Sequence, residues 1–93
     1  MTLIEQTYSL LREAGLVRTR EQFSTNYVGK NPNWYSYQTH VGRDFSVLAA
    51  AHCLRAISKL SNAESIQPNQ RHSLARAGAL LDSYLREQHL ALA

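Results

Sequence analysis

Polar side chains that could recognise another molecule are concentrated in residues 31–46, which read NPNWYSYQTHVGRDFS. This stretch contains the single Trp of the chain and an unusual density of Asn, Ser, Thr and Tyr. The amide of Asn33 and the hydroxyls of Ser36 and Thr39 can exchange hydrogen bonds with the edges of nucleic-acid bases. These residue types predict binding chemistry more readily than a reaction.

Cationic side chains flank the same stretch. Lys30 precedes it, Arg43 lies near its end, and Arg18 and Arg20 stand upstream. Because Lys and Arg neutralise phosphates, these four are candidate phosphate contacts. The net charge of +3 is mild and permits an anionic partner without requiring one.

Enzymatic alternatives are poorly supported. His40, Asp44 and Ser46 could form a hydrolytic set, but no nucleophile elbow or oxyanion glycine motif accompanies them. His52 precedes Cys53, and neighbouring side chains project about 100° apart on a helix, so they make a poor catalytic pair. No Cys or His spacing typical of a metal site and no cofactor fingerprint occurs. We therefore predict no enzyme, no metal, no cofactor and no small-molecule substrate.

Length and composition predict one small domain, residues 1–93. The single Cys excludes an internal disulfide, and no apolar run approaches the ~20 residues that cross a bilayer. The N-terminal residues carry charges inside an apolar pattern, unlike a signal peptide. We expect a cytoplasmic protein without a membrane partner.

An all-α fold of about five helices is predicted from apolar periodicity and end signals. The expected helices run over residues 2–14, 19–29, 31–42, 46–60 and 69–91. Thr2 with Glu5 and Thr19 with Gln22 have the spacing of capping boxes. Glycine ends each of the first three helices, where a left-handed residue is favoured. Asp44 or Ser46 is expected to cap the fourth helix, and the fifth is long.

The third helix decides the orientation of the candidate residues. Asn31 is expected to cap it and Pro32 to occupy its first turn. Trp34, Tyr37 and Val41 share one face, which we predict to be buried. The opposite face would then present Tyr35, Ser36, Thr39 and Arg43 to solvent. A β-strand over residues 33–41 is the alternative, because alternation and aromatic residues suit strands.

The second and third helices, joined by a glycine-containing turn, have the form of a helix-turn-helix. Ser24 supplies a small residue where the two helices cross. The following GRDFSVLAAAHCLRAI resembles the stretch after the recognition helix in lambda-repressor-like regulators. The resemblance covers residues 19–57, but the usual turn glycine of that family falls at Val28. The Trp/Tyr-rich turn is also similar to that of small, uncharacterised bacterial proteins.

The resemblance implies a transcriptional regulator that binds double-stranded DNA as a homodimer. The helix N-terminus at Asn31 would offer free N–H groups to a phosphate, and the third helix would face the bases. The predicted nucleic-acid contacts are Arg18, Arg20, Lys30, Asn31, Asn33, Tyr35, Ser36, Thr39 and Arg43.

The long last helix carries leucines near heptad spacing. Four short helices are too few to cover all of them. The last helix is therefore predicted to pair two copies of the chain. The expected dimer contacts are Leu74, Ala77, Leu81, Tyr84 and Leu85. The alternative function is a non-enzymatic adaptor or inhibitor that docks another protein on this helix.

Overall fold

The computed structural model describes the backbone of residues 1–92 and the side chains of residues 1–88. Within that part the chain is helical without strands, so the predicted all-α class is confirmed and the strand alternative is wrong. Helix α2 (Arg20–Gln22) continues directly into a π-helical turn, Phe23–Tyr27. The helices are α1 (Leu3–Glu13), α2 (Arg20–Gln22), α3 (Trp34–Val41), α4 (Val47–Ser61) and α5 (Pro68–Leu92).

Local end signals place the first helix as predicted. The Thr2 hydroxyl accepts a hydrogen bond from the Glu5 N–H at 3.2 Å, and the Glu5 carboxylate accepts one from the Thr2 N–H at 3.3 Å. This reciprocal pair is the expected capping box. Gly15 follows the helix with a φ of +75°, a conformation that favours glycine.

A second cap on α1 comes from a distant part of the chain. The Asp44 carboxylate accepts hydrogen bonds from the N–H groups of Leu3 at 2.8 Å and Ile4 at 3.0 Å. It also accepts one from the N–H of Phe45 at 2.8 Å. Ser46 caps α4 instead, accepting from the N–H of Ala49 at 3.1 Å. Asp44 therefore caps the start of α1, although in the sequence it lies in the connector between α3 and α4.

The core is built around three aromatic rings from α1, the π-helical turn and α3. The Tyr8 ring lies edge-on to Phe23 and Tyr35, with centroids 5.7 Å and 5.1 Å away. Such edge-to-face contacts add to the hydrophobic stabilisation of a core. Ser24 is fully buried beside them and accepts a hydrogen bond from the N–H of Tyr35 at 3.1 Å. The predicted small residue at the helix crossing thus also fixes the start of α3.

The long helix α5 packs against other helices of the same chain. Leu74, Ala77 and Leu81 are fully buried against α1 and α4, so the prediction that they form a dimer interface is wrong. Tyr84 and Leu85 are partly buried against the same core, and the Tyr84 hydroxyl donates to the carbonyl of Phe45 at 2.5 Å. The two helices α1 and α4 cover more of α5 than the sequence suggested. A homodimer stays a prediction, but these three residues are not available to it.

None of the described helices is both long and apolar enough to span a membrane.

Candidate nucleic-acid interface

Helix α3 begins later than its sequence predicts. The Asn31 carboxamide accepts a hydrogen bond from the N–H of Asn33 at 2.9 Å, which forms a turn, and the helix starts at Trp34. Asn33 occupies the cap position without a side-chain hydrogen bond to the helix. The predicted cap at Asn31 is therefore wrong. The turn before α3 has six residues, 28–33, which is longer than the about three to four of a helix-turn-helix. The resemblance to that family stays a prediction.

The predicted orientation of α3 is also wrong at its aromatic residues. Tyr35 is 6% exposed and lies among Tyr8 and Phe23, whereas Tyr37 is 52% exposed. Trp34 is half-buried against Phe45, with ring centroids 5.6 Å apart. The hydrogen bond from the Tyr35 N–H to Ser24 holds this first turn against the π-helical segment. Tyr35 therefore cannot present itself to bases, and Tyr37 occupies the solvent side.

Arg20 is exposed but supports the fold. Its guanidinium carbon lies 5.4 Å from the centroid of the Tyr35 ring, a cation–π distance. Burial raises the pKa of the Tyr35 hydroxyl, an effect that the nearby Arg20 charge partly opposes. Arg20 thus braces α2 against α3.

The predicted residues on the outer side of α3 surround a shallow groove. Its volume is about 350 Å³. The lining residues are Glu5, Arg20, Tyr35, Ser36, Thr39 and His40. Glu5 contributes a carboxylate and Arg20 a guanidinium, so the lining of this groove has no excess of formal positive charge from Lys, Arg, Asp and Glu.

Most of the predicted contacts are nonetheless accessible. Their exposure is compatible with the predicted contact to nucleic acid, and that role stays a prediction. The exposed members of the set are Arg18, Arg20, Lys30, Asn31, Asn33, Ser36, Thr39 and Arg43.

Charge is distributed unevenly along the chain. Residues 22–63, named here the basic segment, contain four Lys or Arg and a single acid, Asp44. The rest of the chain contains six cations and six acids, so the basic segment accounts for the whole net charge of +3. Both oxygens of Asp44 already accept backbone hydrogen bonds. No exposed carboxylate therefore competes for an anion on this segment.

The solvent side of α4 belongs to the basic segment, and none of its residues was among the predicted nucleic-acid contacts. Leu48, His52, Arg55 and Lys59 are exposed at spacings of four, three and four residues, which places them in one stripe. The signal that could have identified the stripe is the absence of any acid from residue 45 to residue 63.

Gly29 connects the turn before α3 to the α4 stripe. It has a φ of +72°, and a Cβ atom built there would lie 2.8 Å from the His52 ring. The His52 Nδ1 lies 3.4 Å from the carbonyl of Tyr27. The backbone next to Lys30 therefore lies close to His52, and Arg55 and Lys59 follow His52 one and two helical turns along α4.

Apolar side chains interrupt the basic segment near the α3–α4 connector. Among the described large hydrophobic residues, only Met1 and four from this segment are clearly exposed. These four are Tyr37 (52%), Val41 (42%), Val47 (42%) and Leu48 (82%).

Two observations on the described part of the chain concern metal binding and thiol chemistry. That part contains no cluster of three or more His, Cys, Asp or Glu that could hold a metal ion. Burial raises the pKa of the Cys53 thiol to about 12, so the thiolate is scarce near neutral pH.

Comparison with known proteins gives one match. No curated protein and no solved structure matches the chain. A family model, described as a family of unknown function, matches residues 4–91 and so spans nearly the whole sequence. The chain belongs to this family, DUF6626.

Proposed function

We propose that this protein is a non-enzymatic nucleic-acid-binding module that contacts its ligand through the basic segment. The observation that carries the proposal is the charge distribution. Four cations and no exposed carboxylate occupy residues 22–63, while the remainder of the chain is neutral. A surface of one sign attracts a polyanion and releases its condensed counterions on binding.

The geometry favours α4 together with the turn before α3 over α3 alone. The turn residue Gly29, next to Lys30, lies close to His52 of the α4 stripe, and Arg43 follows the C-terminal end of α3. The groove on the other side of α3 contains Glu5 and is less favourable to phosphates. The proposed surface therefore adds Arg55 and Lys59 to the predicted Lys30 and Arg43.

The proposal is tested by fluorescence anisotropy with a labelled oligonucleotide at 50 and 200 mM salt. If about three to four phosphates are neutralised, the affinity should fall roughly 40- to 150-fold over this range for a duplex and about 20- to 50-fold for a single strand. Binding that does not change with salt, or no binding at 50 mM, contradicts the proposal.

Charge reversal locates the surface. The double variant Lys30→Glu/Arg55→Glu should weaken binding and flatten the dependence on salt, because two phosphate contacts are lost. Arg12→Glu/Arg76→Glu is the matched control, since both residues are exposed and the net charge changes equally. Equal loss in the two variants would mean that overall charge, not this surface, controls binding.

A second candidate function is a protein-interaction module. It is favoured by the exposure of Tyr37, Val41, Val47 and Leu48, because apolar residues on a cationic surface suit an acidic amphipathic segment. The sequence placed this alternative on α5, whose central leucines are in the core. This candidate function would instead use the exposed apolar residues on either side of the α3–α4 connector.

A further inference from the structure

Tyr37 differs from every other aromatic residue in the described part of the chain. Its side chain is 52% exposed, whereas the other seven aromatic side chains are buried or half-buried. An exposed aromatic ring is available to bind a ligand, because burial of its apolar faces is energetically favourable. In the described part of the chain the Tyr37 ring takes part in no aromatic pair and no cation–π contact.

The position of Tyr37 relates it to the proposed anion-binding residues. Lys30 precedes α3 and Arg43 follows it, and this eight-residue helix is about 12 Å long. Tyr37 is near its middle, where its N–H donates to the Asn33 carbonyl at 2.9 Å. A polyanion that spans the two cations would run along α3, the helix that carries the exposed Tyr37 ring.

We propose that the basic segment binds single-stranded nucleic acid, with a base stacked on the Tyr37 ring. This inference rests on the proposed function and names the ligand class of the same surface. Every base has a π-face that stacks on an aromatic side chain, and single strands leave these faces accessible. A duplex hides them between neighbouring base pairs, so Tyr37 would gain little from it.

The structure offers less to a duplex than the sequence predicted. Groove reading requires a helix whose polar face enters the groove. Here Tyr35 is buried, Asn31 does not cap α3, and the outward side of the helix includes Tyr37 and Val41. An exposed phenol ring with cations at both ends of its helix fits an unpaired strand better.

The experiment compares a labelled 12-nucleotide single strand, its duplex, and polyglutamate of matched charge with the full chain at 50 mM salt. The single strand should bind more tightly than the duplex and polyglutamate. Tyr37→Ala should weaken single-strand binding about 5- to 150-fold, the range that one stacked base contributes, and change duplex binding little. Tyr37→Phe keeps the ring and should remain within about twofold of wild type.

Val47→Ala is the matched control, because Val47 is exposed and apolar on the same segment but lies outside the α4 stripe. Loss of binding equal to that of Tyr37→Ala would indicate general apolar docking and overturn the stacking proposal. Equal binding of polyglutamate, or a duplex bound as tightly as the single strand with no effect of Tyr37→Ala, also overturns it. In the duplex case the proposed function survives, whereas failure of both nucleic acids to bind removes the two proposals together. Far-UV circular dichroism of each variant confirms that it is folded.

Discussion

The Asp44 carboxylate accepts a 2.8 Å hydrogen bond from the N–H of Leu3, a residue 41 positions earlier in the chain. With its bonds to Ile4 and Phe45, it satisfies amides at the start of α1 and within the α3–α4 connector. Orphan amides at a helix start are costly when left without acceptors. One side chain therefore couples the first helix to the connector that positions the candidate interface.

Removing this carboxylate should destabilise the fold. We expect Asp44→Ala to lower the free energy of unfolding by about 2–4 kcal/mol, because three backbone donors lose a charged acceptor. Asp44→Asn keeps one acceptor oxygen and should lose about half as much. Urea denaturation followed by circular dichroism measures both. Asp82→Asn, which breaks an exposed pair with Arg86, is the control and should cost less than about 1 kcal/mol. If Asp44→Ala also cost less than about 1 kcal/mol, the inferred coupling between α1 and the α3–α4 connector would be contradicted.

Replacing Gly29 should be more harmful than replacing Gly15. Both have positive φ, so alanine at either position should cost about 1–2 kcal/mol of backbone strain. Only at Gly29 would the new Cβ also collide with the His52 ring, whereas nothing lies within 4 Å at Gly15. We expect thermal and urea denaturation to show a larger loss for Gly29→Ala. The double variant Gly29→Ala/His52→Ala should recover the excess; an unchanged excess would show that the ring is not its cause.

The orientation of α3 predicts opposite outcomes for two neighbouring tyrosines. Tyr35→Ala removes a buried ring from the aromatic core and should cost about 3–5 kcal/mol. Tyr37→Ala removes a largely exposed ring and should stay within about 0.5 kcal/mol of wild type. Urea denaturation of the two variants provides the comparison. The reverse ranking would restore the orientation that the sequence predicted.

Alkaline pH should destabilise the folded protein. Burial raises the pKa of Cys53 from 9.0 to about 12, and burial also raises the pKa values of Tyr27, Tyr35 and Tyr84 above 10.0. These groups ionise more readily in the unfolded chain, so their contribution is present below about pH 9 and is lost as the pH rises toward 12.

Urea denaturation at half-unit pH intervals tests the size of this effect. The thiol alone should remove roughly 1.4 kcal/mol per pH unit once the pH exceeds its unfolded value. Cys53→Ala should therefore show a shallower decline between pH 9 and pH 10 than wild type. Identical slopes would exclude the buried thiol as a source of the alkaline sensitivity.

Local signals in the sequence predicted the helices well, and non-local partners explain what they missed. The capping box of Thr2 and Glu5 and the glycine that ends each of the first three helices lie within a few residues of the ends they mark. Asp44 and Tyr84 have partners about 40 positions away. Sequence spacing does not specify such pairings, and a nearby helix start made Asp44 look like a cap for α4.

The candidate site shows the same division. The aromatic residues Trp34, Tyr35 and Tyr37 are compatible with more than one choice of buried face on α3. The hydrogen bond from the Tyr35 N–H to the Ser24 hydroxyl favours the face that buries Tyr35. The burial of Leu74 depends on how α1 and α4 cover α5, which periodicity alone does not determine. The charge asymmetry of residues 22–63, by contrast, is readable from the sequence, because it requires no knowledge of packing.

The placement of Asp44 at the start of α1 also has an electrostatic consequence. The N-terminal end of a helix carries a partial positive charge of about half a unit, and the Asp44 carboxylate lies directly against it. The helix dipole of α1 therefore compensates part of the only negative side chain in the basic segment. An approaching anion would experience a field closer to that of four cations than the formal charge of the segment indicates.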